Sequence, residues 1–396
     1  MLTCGRLAIG LLLAADLPYP ANLPLDHPAI QYFQAPLDNA VTRLTSQIPG
    51  DLPSLLDRLH ISPDSQLLVF SKTSFQAGKI SPRNPRAIYF NDDVAVGWVR
   101  GSQSMEVAAF DSRQGVVFYA FDAEKPGFTR QQVCLHCHQG PATLGVPGIF
   151  VGSVYPNSAG QPSAAAAIIT DQRTAFADRW GGWYVNAVHG EQPGRANAVA
   201  PDPAEPAALE KLTAKFNPAG YLSSASDIVA LMTFEHQTQM TNLLTRVGWE
   251  ARIGGEPDIE PIIAYMLFAD EAPLREPIEG VSAFTKTFPA RGPRDHRGRS
   301  LRDFDLNTRL FRYPLSYMIY SAAFDALPDA VRDRIYRRLY GILSGQEESP
   351  KFAGLSSEER SSILEILSDT KPGMPGWWRR PPAGEKIQYT GQLATE

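Results

Sequence analysis

"RAIYFNDDVAVGWVRGSQSMEVAAFDSRQGVVFYAFD", residues 86–122, decides the architecture of the first half of the chain. Runs rich in valine, alanine and aromatic residues are separated by short polar breaks at Asn91-Asp92-Asp93, Gly101-Ser102 and Ser112 to Gly115. β-branched and aromatic side chains suit a pleated, half-buried surface, and Asn, Asp, Ser and Gly suit tight turns. The runs alternate or stay apolar, so the stretch reads as consecutive antiparallel strands, a meander. "QLLVFSK" at 66–72 reads as a further strand before it.

Toward the C-terminus the meander runs through "FTRQQV" (128–133) into "CLHCHQGPATLGVPG" (134–148). Two of the three cysteines of the chain, Cys134 and Cys137, stand here with His138 directly after them. C-x-x-C-H is the attachment pattern of a c-type haem. One helical turn sets two thiols against the two vinyl groups of the porphyrin, and the next residue offers its imidazole to the iron. A structural zinc site would need four ligands, and no second C-x-x-C exists to supply them. A thioredoxin-type pair would open a helix after a strand of a βαβ unit and would not need His138. The expectation is one covalent haem c, held through Cys134 and Cys137 with His138 as axial ligand.

Beyond the motif, Gly145, Pro147 and Gly148 turn the chain into strands at about 149–155, 164–170 and 180–190. Trp98, Trp180, Trp183 and Tyr184 read as core packing rather than as haem-edge residues. The second half changes character. "SSASDIVALMTFEHQTQMTNLLTRVGWEAR" (223–252) opens with Ser224 and Asp227 at capping-box spacing and carries apolar residues at helical intervals. Further helices are expected at about 258–269, 314–325, 328–344 and 357–368. The basic, Gly/Pro-punctuated segment 289–305 reads as a mobile, solvated loop, and 371–386 as an irregular tail. The fold class is therefore α+β: an antiparallel, β-rich, haem-bearing N-terminal half (17–200) and a mainly helical C-terminal half (201–396) that packs on or covers the haem.

The second axial ligand is open between candidates. His236 lies four residues after Met232 and four before Met240 on one helix face, and His and Met are the side chains that suit a sixth ligand. His236 is the favoured candidate, with Met240, His189 and an open position as alternatives. Two strong ligands imply electron transfer. An open position implies a haem enzyme or gas-binding protein for peroxide or a small nitrogen or oxygen species, with His236 and Arg179 or Arg246 as a polar set.

The first sixteen residues carry Arg6, then the apolar run Leu7 to Ala15, then Asp16. That layout reads as a short secretory leader and places the protein in the periplasm or otherwise outside the cytoplasm. Cys4 stands apart, so no disulfide framework is implied. A net charge of −5 gives no general attraction to nucleic acid. No uninterrupted apolar run is long enough for an integral membrane span. A redox partner protein is expected.

The segments "FSKTSFQ", "PRAIYFNDDVAVGWVRG", "MEVAAFDSRQGVVFYAF", "CLHCHQGPATLGVPG", "RWGGWYVNAVHG" and "EHQTQM", between about Phe70 and Arg252, together resemble a family of large bacterial proteins described as cytochrome c domain-containing. "RLFRYPLSYMIYS" (309–321) echoes it more weakly. The resemblance implies a secreted haem c protein with a redox role, with Cys134, Cys137 and His138 as the haem residues, and assigns no distal ligand. Strands, then C-x-x-C-H, then a further strand also looks similar in outline to the sheet-based c-type cytochromes that include hydroxylamine-oxidising enzymes. Neither Lys72 nor Lys79 is assigned the haem-bonded lysine role of those enzymes.

Overall fold

The computed structural model describes residues 23–378 except positions 25, 46, 189–193, 200–212, 214 and 348. The leader-like stretch, Cys4 and His189 lie outside the described residues. After α1 (Ile30–Gln34) and α2 (Leu52–Arg58) come β1 (Leu67–Val69), β2 (Arg86–Phe90), β3 (Val94–Val99), β4 (Ser104–Asp111), β5 (Gly115–Asp122) and β6 (Gly127–Arg130). A single turn, α3 (Leu135–His138), carries the C-x-x-C-H motif. A hairpin, β7 (Val151–Pro156) and β8 (Pro162–Thr170), and a short strand, β9 (Trp183–Tyr184), complete the β-rich half. The helical half holds α4 (Ile228–Ile253), α5 (Glu260–Met266), α6 (Phe284–Ala290), α7 (Ala322–Asp325), α8 (Asp329–Leu343) and α9 (Ser357–Thr370). The chain is α+β, with the meander and the helical half where the sequence puts them.

The main sheet has seven antiparallel strands in the order β6-β5-β4-β3-β2-β1-β9. Its two faces serve two different cores. In β4 burial alternates strictly: Met105, Val107, Ala109 and Asp111 are buried, and Glu106, Ala108 and Phe110 are half-buried. Through the pairings Glu106↔Ala120, Ala108↔Phe118, Val96↔Val107 and Ala87↔Trp98 the same parity propagates across the sheet. One face (Leu68, Tyr89, Val96, Val107, Val117, Phe121) packs on Leu52, Leu55, Leu56 and Leu59 from the α2 region. The other (Leu67, Val69, Ile88, Phe90, Ala95) packs on α4 and, through it, on the helices beyond. Each Leu, Val, Ile or Phe taken from water in this way contributes about 1.5–3 kcal/mol.

Helix α4 is buried along nearly its whole length and round its circumference, so it is a central rod rather than an amphipathic lid. Phe234 packs toward the sheet on Phe90, the rings tilted with centroids 4.7 Å apart. Thr233, Thr241 and Thr245 return their hydroxyls to carbonyls four residues earlier and so present methyl groups to the packing. The N-cap is Asp227, not Ser224. One carboxylate oxygen accepts from Val229 N, and the other accepts from Val281 N and Ser282 N at 2.7 Å each. The cap therefore also ties down the 280s.

Three expectations need correction. Segment 289–305 is only in part the solvated loop expected: Arg291, Pro293, Arg294, His296, Arg297 and Gly298 are exposed, but buried positions anchor it. Ser300 and Leu301 are fully buried. Arg294 pairs with Asp303, Arg299 with Asp295 and Glu365, and Arg302 with Asp92. The Arg302 guanidinium also lies 4.6 Å and 4.4 Å from the ring centres of Phe288 and Tyr317. Much of the basic charge is paired with carboxylates of the same chain. The expected strand at 180–190 shrinks to β9, and the helix expected at 314–325 breaks into a 3-10 turn (Tyr317–Tyr320) and α7. Trp98, Trp180, Trp183 and Tyr184 pack in or against the cores, as expected.

Candidate functional site

The motif is laid against the helix-side face of the sheet at its β5–β6 edge. Gln131 N donates to Phe118 O (2.8 Å), extending the β5–β6 ladder up to the turn that carries Cys134. Cys134 is half-buried and Cys137 exposed, and no disulfide joins them. Burial first, and then the Glu106 carboxylate, push the Cys134 thiol up to about 11.

His138 is half-buried between two aromatic rings, Phe118 at 4.8 Å and Phe150 at 5.2 Å between centroids. Its Nδ1 lies 3.0 Å from Gly148 O. Since a carbonyl only accepts, Nδ1 carries the proton, and Nε2 is the nitrogen left for a metal. Burial pulls the imidazole down to about 4, against the opposing effect of the bond to Gly148. Arg86 lowers it further and Glu106 raises it. The ring is therefore neutral over the physiological range, the state a ligand needs.

The loop that returns from the motif to Gly148 is closed by its own bonds. Gly148 N donates to His138 O (2.9 Å), Gly145 N to Gly140 O (2.9 Å), and the buried Thr143 hydroxyl to Val146 O (2.7 Å). Leu144 and Gly145 both take left-handed conformations. Helix α4 reaches this loop through Asn242, whose Nδ2 donates to Ile149 O at 2.8 Å. A Cβ on Gly148 would run into the Asn242 side chain, so the glycine permits this close approach.

Two polar side chains share the sheet face with the motif. Arg86 of β2 and Glu106 of β4 form an ion pair at 2.7 Å. Arg86 Nε and Glu106 Oε1 are buried and have no hydrogen-bond partner among the described residues. Glu106 stands opposite Gly97 on one strand and Ala120 on the other, which keeps the space beside it clear of bulk. Sequence reading passed these two over. The available signal was parity: both occupy positions that Ile88, Phe90, Ala108 and Phe110 mark as the inner face.

The structure does not bring His236 to the motif. The α4 residue beside the motif loop is Asn242, while His236 belongs to the core of the helical half. It is fully buried, with Nδ1 2.5 Å from Gln172 Oε1 and Nε2 2.7 Å from Ser316 Oγ. It stacks on Phe268 at 4.7 Å and on Tyr265 at 5.4 Å. Both nitrogens are engaged, so the assignment of His236 as sixth ligand is corrected: in this arrangement it has none to give. Met240, also fully buried, lies in the same core. Arg179 does come near His236. It reaches Glu235 at 3.3 Å and donates to Gln172 O at 2.6 Å, while Arg246 pairs instead with Glu250. Arg179, Glu235, Gln172, His236 and Ser316 thus form one buried, mutually bonded network, which reads as a polar keystone of the core. Asp295, His296 and Asp369 lie close enough together to suggest a metal, but Asp295 accepts from the Arg299 guanidinium and from the backbone N–H of Arg297, so its charge is already answered.

The donor set therefore fits a c-type haem at the motif: two thiols one helical turn apart, and a neutral histidine oriented by a backbone carbonyl, with its other nitrogen available. Among the described residues no helix is long and apolar enough to cross a membrane. No family model matches the chain, and no curated protein or solved structure matches it either.

Proposed function

We propose that this protein is an exported c-type cytochrome carrying one haem, bound through Cys134 and Cys137, and that it transfers electrons to or from a partner protein. The observation that carries the reading is the contact between His138 Nδ1 and Gly148 O. An axial histidine is ordinarily oriented by a hydrogen bond from its second nitrogen, which fixes the tautomer and raises the basicity of the ligating one. The haem supplies a one-electron couple; the chain supplies orientation and partial cover. Phe118 and Phe150 hold the imidazole plane, the Thr143 loop fixes Gly148, and the exposed positions Cys137 and Val133 leave the edge of the site at the surface, where a partner can approach.

A second reading, a haem enzyme or gas-binding protein with an open side, is favoured by one observation: His236 is committed to Gln172 and Ser316.

The test is expression together with a c-type attachment system, followed by denaturing gel electrophoresis with haem staining and a pyridine haemochrome spectrum. Haem that stays on the denatured chain, and is lost in Cys134→Ala/Cys137→Ala, is the expected result. A wild-type chain that emerges without haem while a control cytochrome is loaded overturns the proposal.

A further inference from the structure

A row of four side chains crosses the helix-side face of the sheet. Phe90 of β2 stands opposite Ala95 of β3, Ala95 opposite Ala108 of β4, and Ala108 opposite Phe118 of β5. Directly opposed residues share a face, so the row reads large, small, small, large. Phe234 of α4 packs on the first ring and His138 on the last. Between the two rings the alanines leave room that α4 does not fill. A groove of about 340 Å³, partly open to solvent, lies there, with an apolar floor of Ala95, Ala108, Phe110, Val116, Ile149 and Phe234.

The polar part of the lining comes from Gln237, Thr238 and Thr241 of α4 and from Asp92 and Asp93 in the turn between β2 and β3. It is one-sided. Gln237 spends Nε2 on Asn91 O (2.7 Å), and its Oε1 accepts from the Tyr317 hydroxyl (2.8 Å). Thr238 and Thr241 donate their hydroxyls to Glu235 O (3.1 Å) and Gln237 O (2.8 Å), so their oxygens can only accept from anything else. Asp92 is paired with Arg302. The carboxylate of Asp93, an exposed residue, has no hydrogen-bond or ion-pair partner among the described residues. The side chains of the groove therefore offer acceptors and one unpaired negative charge, and no free donor.

We propose that this groove binds a small primary amine in its ammonium form, with the alkyl stem over Ala95 and Ala108 and the ammonium donating to Asp93. An alkylammonium brings donors, a positive charge and no acceptor, which is the complement of this lining. A carboxylate or an ether brings only acceptors, and these side chains have nothing left to give them. The inference goes beyond the cytochrome reading and does not depend on it. The site lies one strand away from Phe118, the ring that packs on His138.

The probe is n-butylammonium chloride, titrated calorimetrically into the full-length protein as isolated, at low ionic strength. n-Butanol and sodium butyrate serve as the uncharged and the anionic versions of the same chain. The ammonium is expected to bind, n-butanol about five- to tenfold more weakly, and butyrate not at all. Asp93→Asn should weaken the ammonium by the same factor. Ala108→Leu, which fills the groove and keeps the charge, should abolish binding in a chain whose circular dichroism is unchanged. Added salt should weaken binding, because Asp93 is exposed. A wild-type chain that binds no ammonium, that binds n-butanol equally well, or whose affinity survives either substitution overturns the inference. Haem staining of the same preparation reports on the cytochrome reading separately, so the two can fail independently.

Discussion

Gly148 and Asn242 meet so closely that no side chain fits between them, and the carboxamide of Asn242 holds the next carbonyl, Ile149 O, at 2.8 Å. Through that contact the central helix fixes the peptide that orients His138. Asn242→Ala leaves a buried carbonyl unpaired and should cost about 1–3 kcal/mol, measured by urea unfolding. Gly148→Ala forces the loop away from α4. It should also detach Gly148 O from His138, which would appear in the haem-loaded protein as a shifted reduction potential. An unchanged potential in a folded Gly148→Ala protein would refute the coupling.

His236→Ala should leave the haem spectrum and its spin state as in wild type, because both ring nitrogens are already engaged, by Gln172 and Ser316. It should nonetheless destabilise the fold by about 3 kcal/mol, through the cavity and the loss of partners for Gln172 Oε1 and Ser316 Oγ. A change from low to high spin would restore His236 as an axial ligand.

The same histidine predicts an acid limb to stability. Burial lowers its folded pKa to about 3, against the ordinary 6.5. As pH falls from 6.5 toward 3, the unfolded chain takes up a proton that the folded chain refuses, so stability present at neutral pH is progressively lost. The loss is on the order of 4 kcal/mol from this residue. Urea midpoints of wild type and His236→Asn should converge as the pH drops. Parallel curves would show that His236 is not the titrating group.

Glu271 acts in the opposite sense. Burial raises its carboxyl to about 7, even though it accepts from Leu310 N at 3.1 Å. The folded chain then keeps a proton that the unfolded chain releases above 4.5, and the associated stability disappears as pH rises from 4.5 through 7. Glu271→Gln should be nearly neutral at pH 5 and more stable than wild type by about 2 kcal/mol at pH 8. Thermal melts at the two pH values give the comparison directly.

The buried pair Arg179–Glu235 should behave as a unit. Breaking it by Arg179→Met leaves Glu235, fully buried and held by Thr170 at 2.5 Å, without its counter-charge. A loss of about 3–5 kcal/mol is expected. Arg179→Met/Glu235→Met should lose less than the sum of the two single variants, as a double-mutant cycle would show.

The meander and the long helices were readable because their signals are local. "SMEVAAFD" alternates in the sequence as it does in the fold, and "DIVALMTF" begins at a side chain that caps it. C-x-x-C-H was visible as a motif because its residues are adjacent in the chain. The partners of those features were hidden because they arrive from far along the chain. Gln172 and Ser316 claim His236 from 64 and 80 residues away. Gly148 meets Asn242 across 94 positions, and Arg86 meets Glu106 across 20. The charges of 289–305 misled for the same reason: composition says that arginines are present, not that Asp92 and Glu365 await them.

The division of the sheet between two cores gives the meander a phase. A conservative exchange in β4 disturbs one core at a time, odd positions touching the α2 side and even positions the α4 side. Deleting a single residue there would do something different in kind. It would swing Glu106 into the oily layer beneath and bring Val107 up beside His138, inverting every strand position downstream up to the next turn. For this protein a one-codon frame-preserving deletion in the meander is the graver lesion, and strand parity, more than residue identity, is what inheritance has to preserve.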